Sequence, residues 1–269
     1  MLDISSVITS TRNPRIVEIR SLRMRKRRDQ RQLAYVEGLR ATVEAINSDA
    51  PIRELIVCPE LLTSAPILER IEASSYSTLV VSEPVFRSLS KRDGPQGFAA
   101  VVQQSWNTLD ELEVTGENLW IALDSIADAG NIGTILRSCE ATGVAGIVFV
   151  GNTADPYDPV AIRASTGTIF SQTLIRTEWS DLIAWADSSN VKIFGTSGTA
   201  TQDYRQATYA PRNLVAMGAE RSGLTDSQLD QCDQLLSIPM RGQIDSLNVA
   251  SAATLVLYEF CNNQSAWSS

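Results

Sequence analysis

The four stretches whose residue types could do chemistry lie beyond residue 123 of the chain. The first, DSIADAGNIGTILRSCEATG at 124–143, sets Asn131 six positions before Arg137, behind a small-residue turn. Asn131 falls where a helix cap or loop-locking side chain belongs, and Arg137 follows about one and two-thirds helical turns later. A guanidinium held at the end of a sheet and a capped helix with a solvated arginine both fit. In AIRASTGTIFSQ, 161–172, Arg163 stands with Ser165, Thr166 and Gly167. A cation beside hydroxyls and a flexible turn suits a phosphate; a helix end with a glycine cap uses the same residues. MGAERSGLTD, 217–226, puts Glu220 among small residues just past the apolar run ending at Ala216. There it either caps a helix or orders a loop that receives a ligand. In SIPMRGQIDSLNVASAATLVLYEF, 237–260, Ser246 and Asn248 form the polar first turn of a helix apolar nearly all round. Such a helix is expected to be buried, which would oblige both polar residues to find partners inside.

What the chain lacks narrows the chemistry further. There is no histidine, so a Ser-His-Asp triad, imidazole acid–base catalysis and histidine-ligated metals are excluded. Cysteines at 58, 139, 232 and 261 have no metal-ligand spacing and read as buried thiols, with no metal expected. The net charge of −8 argues against indiscriminate binding to polyanions, yet Arg12–Arg40 carries ten basic residues against three acidic ones. That segment is +7 and the remainder −15, which suggests a local anion-binding surface on a repelling body. Arg23, Arg25, Lys26, Arg27 and Arg28 head the candidates for it; a solvated helix face is the plainer reading.

Positioning these residues takes two α/β units. With 43% apolar residues, 269 positions suffice to bury a core. NPRIVEIRSLRMRKRRDQRQ reads as one helix with Pro14 in its first turn. Strands and helices then alternate to GFAAVVQQ, which predicts a largely parallel sheet. Polar SWNTLDELEVTGEN reads as a linker, giving domains of 1–105 and 119–269 joined by 106–118. The second domain repeats the alternation from LWIALD to the C-terminal helix. No apolar run reaches the roughly 18 residues of a membrane span, and MLDISSVITSTRNPR has no apolar leader core. A cytoplasmic protein is expected.

Taken in order, GNIGTILR, MGAERSGL and SIPMRGQIDSLNVASAA resemble the three signature motifs of the SpoU (TrmH) family of RNA ribose 2′-O-methyltransferases, within the SPOUT superfamily. The segment ITSTRNPR…LAYVEG and GPQGFAAVV are similar to the substrate-binding domain that precedes the catalytic domain in that family. The resemblance implies an open α/β sheet with a C-terminal trefoil knot, a homodimer, and S-adenosyl-L-methionine held in the knot. It places Thr196, Gly218, Ile238, Met240 and Leu247 around the adenosyl group. It assigns Arg137 to the ribose hydroxyl, with Asn131 and Glu220 holding Arg137 and Ser246 and Asn248 arranging the site. Four positions depart from the family pattern: Arg221-Ser222 in the Glu220 loop, Asp245 for a glutamate, and Thr254 for a glycine. The implied substrate is structured RNA, with ribosomal RNA favoured by the N-terminal domain. A transfer-RNA methyltransferase and a catalytically silent RNA-binding assembly factor are the alternatives.

Overall fold

The computed structural model describes residues 7–112 and 114–263. The first six residues of the stretch read above for a leader lie outside it. The described chain divides into two compact units, one of residues up to Gln104 together with Asp155–Ser171, the other of Ser105–Ala154 and Gln172 onward. The expected single cut therefore does not describe the division, because 155–171 leaves the second unit and packs with the first.

The first unit begins with α1 (Pro14–Ser21) and α2 (Arg25–Arg31). The single basic helix read from sequence is thus two. Asn13 caps α1 by accepting from the Arg15 N–H. Arg28 then donates to the Leu22 and Arg23 carbonyls at 2.9 Å each, acceptors that a continuous helix would need for its own ladder. Next come β1 (Leu33–Glu37), α3 (Leu39–Asn47), β2 (Ile52–Val57), α4 (Ala65–Ala73), β3 (Thr78–Val80), α5 (Glu83–Leu89) and β4 (Phe98–Gln103). The sheet order is β1-β4-β2-β3. Strand β4 runs antiparallel to both β1 and β2, and only β2 and β3 are parallel. The sheet is mixed rather than largely parallel, since the last strand returns between two earlier ones. Ile16, Ile19 and Leu22 pack with Ile56, Phe86 and Val101 in its core.

The second unit runs β5 (Asn118–Asp124), α6 (Ala129–Thr142) and β6 (Gly146–Val150) before the chain departs into the first unit as α7 (Pro159–Ala164). It resumes with β7 (Leu174–Thr177), α8 (Trp179–Ser188), β8 (Lys192–Thr196), β9 (Gln202–Asp203), β10 (Arg212–Met217), α9 (Asp226–Leu229), β11 (Gln234–Ser237) and α10 (Val249–Asn262). The sheet is parallel throughout in the order β7-β6-β5-β10-β8-β11-β9. Side-chain alternation divides its faces: Trp120, Ile193 and Leu214 face α8, where Trp120 meets Trp185 edge-on at 5.3 Å. Phe194, one residue on, packs against Phe260 of α10.

The expected linker is instead an ordered strap of this unit, apart from Glu113, which is not described. Trp106 packs edge-on against Phe149 beneath the Arg176 guanidinium, and Thr108 and Glu111 form a reciprocal helix cap. Leu112 joins the α8-side core. Its polar composition hid these anchors, because two apolar residues and a cap suffice to seat it.

Candidate active site

In a parallel sheet, the loops leaving the carboxyl ends of neighbouring strands converge. Here β5, β8, β10 and β11 end side by side at Asp124, Thr196, Met217 and Ser237. The loops after β8, β10 and β11 line one cavity of about 150 Å3. All five residues expected around an adenosyl group, Thr196, Gly218, Ile238, Met240 and Leu247, are in its wall, and Glu220 and Ser246 lie beside them. Leu236, Val249 and Ala252 complete an apolar side. Sequence reading had missed these three, although their place at the end of β11 and on the inner side of α10 is where strand and helix periodicity puts core residues.

Local bonds hold the loops in place. The Thr196 hydroxyl donates to the Ala216 carbonyl at 3.0 Å, and the Ser197 N–H to the Leu236 carbonyl at 2.9 Å. Gly218 is tighter still: a Cβ there would lie 2.1 Å from the Gly223 carbonyl carbon and 2.2 Å from the Leu224 nitrogen. Any side chain at 218 must displace the loop.

Beside the cavity, α10, α6 and the Glu220 loop are joined by an amide relay. Asn248 caps α10 through its Oδ1, which accepts from the Ala250 and Ser251 N–H groups, and its Nδ2 donates to Asn131 Oδ1 at 3.0 Å. Asn131 Nδ2 in turn donates to Glu220 Oε1 at 3.3 Å. Glu220 also accepts from the Ala127 and Asp128 N–H groups at 3.2 and 3.3 Å. Burial raises the Glu220 pKa, but its hydrogen bonds outweigh it: the loop's own backbone, Ala127, Asn131 and Asp128 together bring it below the ordinary carboxylate value.

Several expectations need correction. The cap of α6 is Asp128, whose carboxylate accepts from the Asn131 N–H at 2.8 Å. The sequence signal was an aspartate three positions before Asn131, which is the usual capping spacing. Asn131 and Glu220 do not hold Arg137. That residue is exposed on α6, and its side chain makes no hydrogen bond or ion pair among the described residues. Six residues of helix turn it roughly 120° round from Asn131, so the two side chains leave different sides. Ser246 and Asn248 are exposed rather than carried inside, because the first turn of α10 opens at the cavity rim. Thr254, which departs from the family glycine, shares a 2.6 Å hydrogen bond with Ser138 and so joins α10 to α6.

The residues expected on RNA belong to the first unit. Arg28 is not available for it: 1% exposed, its guanidinium lies 2.6 Å from Asp155 and 3.0 Å from Asp158. Arg23 is half-buried and donates to the Ser88 and Ser90 carbonyls. Arg25, Lys26, Arg27 and Arg163 are exposed; Arg25 pairs with Asp29, and Arg27 donates to Gln30. Ser165 is buried, donating to Ile162 and accepting from Gly167, so it serves the helix end. Cys58, Cys139 and Cys261 are buried and Cys232 half-buried, all as free thiols.

The chain matches two known family models: the SpoU rRNA Methylase family over residues 118–258, and the MRM3-like substrate binding domain over 13–100. It is 30% identical over 231 residues to a 23S rRNA (uridine(2479)-2′-O)-methyltransferase of Streptomyces viridochromogenes, covering 83% of this chain and 80% of that one. It is 25% identical to a 23S rRNA (guanosine(2553)-2′-O)-methyltransferase of Bacillus subtilis, covering 93% and 97%. Among solved structures, an AdoMet-bound rRNA methyltransferase from Sinorhizobium meliloti superposes with a TM-score of 0.87 at 30% identity, covering 95% of this chain and 97% of that one.

Proposed function

Because this chain belongs to the SpoU rRNA Methylase family, we propose that it transfers a methyl group from S-adenosylmethionine to a ribose 2′-hydroxyl of ribosomal RNA. The observation that carries the proposal is the meeting of all five expected cofactor residues in one cavity, with Glu220 and Ser246 beside them. Leu236, Ile238, Leu247, Val249 and Ala252 offer an apolar bed for a flat ring, and Gly218 lines the same cavity. The relatives named above act on ribosomal RNA, and the S. meliloti enzyme binds AdoMet.

When bound, the cofactor supplies a methyl group activated on a sulfonium. The chain must orient the hydroxyl and manage its proton. Arg137, without a partner of its own, is placed on the adjacent phosphate and the developing 2′-oxyanion. It is not the base, since a guanidinium keeps its proton. Nor is Glu220, whose two oxygens are engaged by three donors. The proton leaves to water at the exposed rim, and Arg137 stabilises the charge left behind. Glu220 staples the turn before α6 to the loop after β10, and Asn131 and Asn248 extend that staple to α10. Ser246 contacts the ribose side.

The return of residues 238–248 to the loops at 196–198 and 217–223 is the segment we assign to the trefoil knot. Leu255 and Tyr258 leave an apolar strip on α10, 41% and 39% exposed, which we assign to a homodimer interface. No helix among the described residues is long and apolar enough to cross a membrane, and we assign the protein to the cytoplasm as the compartment that fits a ribosomal substrate.

The test is transfer of labelled methyl from S-adenosylmethionine to unmodified ribosomal and transfer RNA, followed by alkaline hydrolysis. Label in an alkali-resistant dinucleotide from ribosomal RNA is the expected result. Label confined to transfer RNA overturns the substrate, and tight RNA binding without any label overturns catalysis.

A further inference from the structure

The first unit contains a pocket for which the catalytic reading has no use. Arg23, Tyr35, Leu89, Lys91, Arg92 and the Asp158–Arg163 turn line a cavity of about 220 Å3. A second cavity of about 300 Å3 shares Glu37, Arg92 and Arg163 with it and reaches the first turn of α3. Gly38, with φ +108°, opens that helix, and a Cβ there would lie 2.8 Å from Arg92 Nη1, so the guanidinium rests directly on the glycine backbone. Gly38 has no side chain with which to cap α3, and among the described residues only the Leu39 N–H of its first turn has a side-chain acceptor, Gln96.

The acids of the pocket are already committed. Glu37 accepts from the Ser90 hydroxyl, and Asp158 both pairs with Arg28 and caps α7 at the Val160 N–H. The side chains of Lys91, Arg92 and Arg163 have no ion pair or hydrogen bond among the described residues. Most telling is Tyr35. It is 3% exposed, it forms part of the pocket wall, and its hydroxyl has no partner among the described residues. A buried hydroxyl left this way destabilises a protein unless something else satisfies it. Burial first, then the Glu37 carboxylate, hold that phenol well above its usual pKa against the opposing Arg23, so it is an O–H at neutral pH. Leu89, Pro159 and Val160, the last 42% exposed, supply an apolar wall.

Three free cations, an apolar wall and one orphan hydroxyl describe a ligand with an anionic group, a flat body and a hydrogen-bonding edge. A bare phosphate would use only the cations. We propose that this pocket receives a single unpaired nucleotide of the substrate RNA. Its phosphate lies on Lys91, Arg92 and Arg163, its base lies against Leu89, Pro159 and Val160, and the Tyr35 hydroxyl bonds to the base edge. The inference rests on RNA being the substrate, and single-stranded bases splayed from a fold are what proteins read in RNA.

Full-length Tyr35→Phe is the discriminating variant, assayed with an unmodified ribosomal RNA transcript. Because the hydroxyl has no partner in the free protein, its melting temperature is expected to stay the same or rise. The Kd for the transcript, and its KM with kcat unchanged, are expected to rise about 2- to 10-fold, the worth of one hydrogen bond. In parallel, Lys91→Gln/Arg163→Gln is expected to lower the salt dependence of binding by about 0.7 log units per log unit of salt, the contribution of the one single-strand phosphate the pocket holds. A Tyr35→Phe protein that melts lower yet binds and methylates RNA like the parent has lost only packing, and the pocket assignment falls. If inorganic phosphate at millimolar concentration displaces the transcript equally well from the parent and from Tyr35→Phe, the site takes anions alone and the assignment also falls. Failure of the parent to bind RNA at all removes the substrate reading with it, whereas normal methylation by unaffected variants removes the pocket alone.

Discussion

Glu220 carries two opposing influences, burial that favours its neutral form and hydrogen bonds that favour its charge, and the hydrogen bonds prevail. The sign follows from linkage: a carboxyl whose folded pKa lies below its unfolded one stabilises the fold above the unfolded value. That contribution is lost as pH falls through the folded one. Thermal unfolding of Glu220→Gln is therefore expected to lose part of the acid-side decline shown by the parent, and parallel pH profiles of melting temperature would show that the staple does not depend on charge. Arg137→Ala is expected to reduce methyl transfer by about 10²- to 10³-fold, the loss typical of one oxyanion-stabilising group. Cofactor affinity measured by calorimetry should be unchanged, since Arg137 does not line the cavity; weaker cofactor binding would move Arg137 out of the substrate role. At Gly218 a methyl group has no space, so Gly218→Ala is expected to cost about 1–3 kcal/mol as an overpacked site and to weaken cofactor binding, both readable from one melting series with and without S-adenosylmethionine.

Helices and strands were legible where their periodicity was strong, and so the parallel sheet of the second unit and the helix at 249–262 follow from pattern alone. Two elements show why the rest was not. Nothing in RSLRMRKRRDQR marks a break at Leu22, because the break comes from Arg28, whose hydrogen bonds to two carbonyls and to Asp155 join residues 127 positions apart. Likewise, the antiparallel course of β4 depends on which strands it enters between, and a single strand's sequence does not record its neighbours. The candidate site residues follow from ordered motifs, yet the motifs name residues without fixing partners, and Glu220 binds two backbone N–H groups and Asn131 rather than Arg137. The Arg28 ion pair gives the element-scale prediction. Arg28→Met strands the Asp155 carboxylate, itself 4% exposed, and is expected to destabilise the first unit by about 3–5 kcal/mol. Denaturant unfolding of Arg28→Met/Asp155→Leu should recover most of that loss; no recovery would mean the pair is not what holds α2 to the segment at 155–158.

For the whole molecule, the apolar strip at Leu255 and Tyr258 supplies the remaining test. Leu255→Arg is expected to convert the proposed homodimer to a monomer in sedimentation, and an unchanged sedimentation coefficient would remove this face of α10 from the proposed interface. The division of the chain has a consequence of another kind. The backbone passes between the two units three times, at 104/105, 154/155 and 171/172, whereas the two family models break it only once. A fragment ending at residue 104 would keep Arg28 but leave its counter-charges, Asp155 and Asp158, behind. In the language of recombination, 1–104 and 155–171 form one heritable block written in two places, and exchanging the N-terminal part with that of a relative requires that both passages travel together.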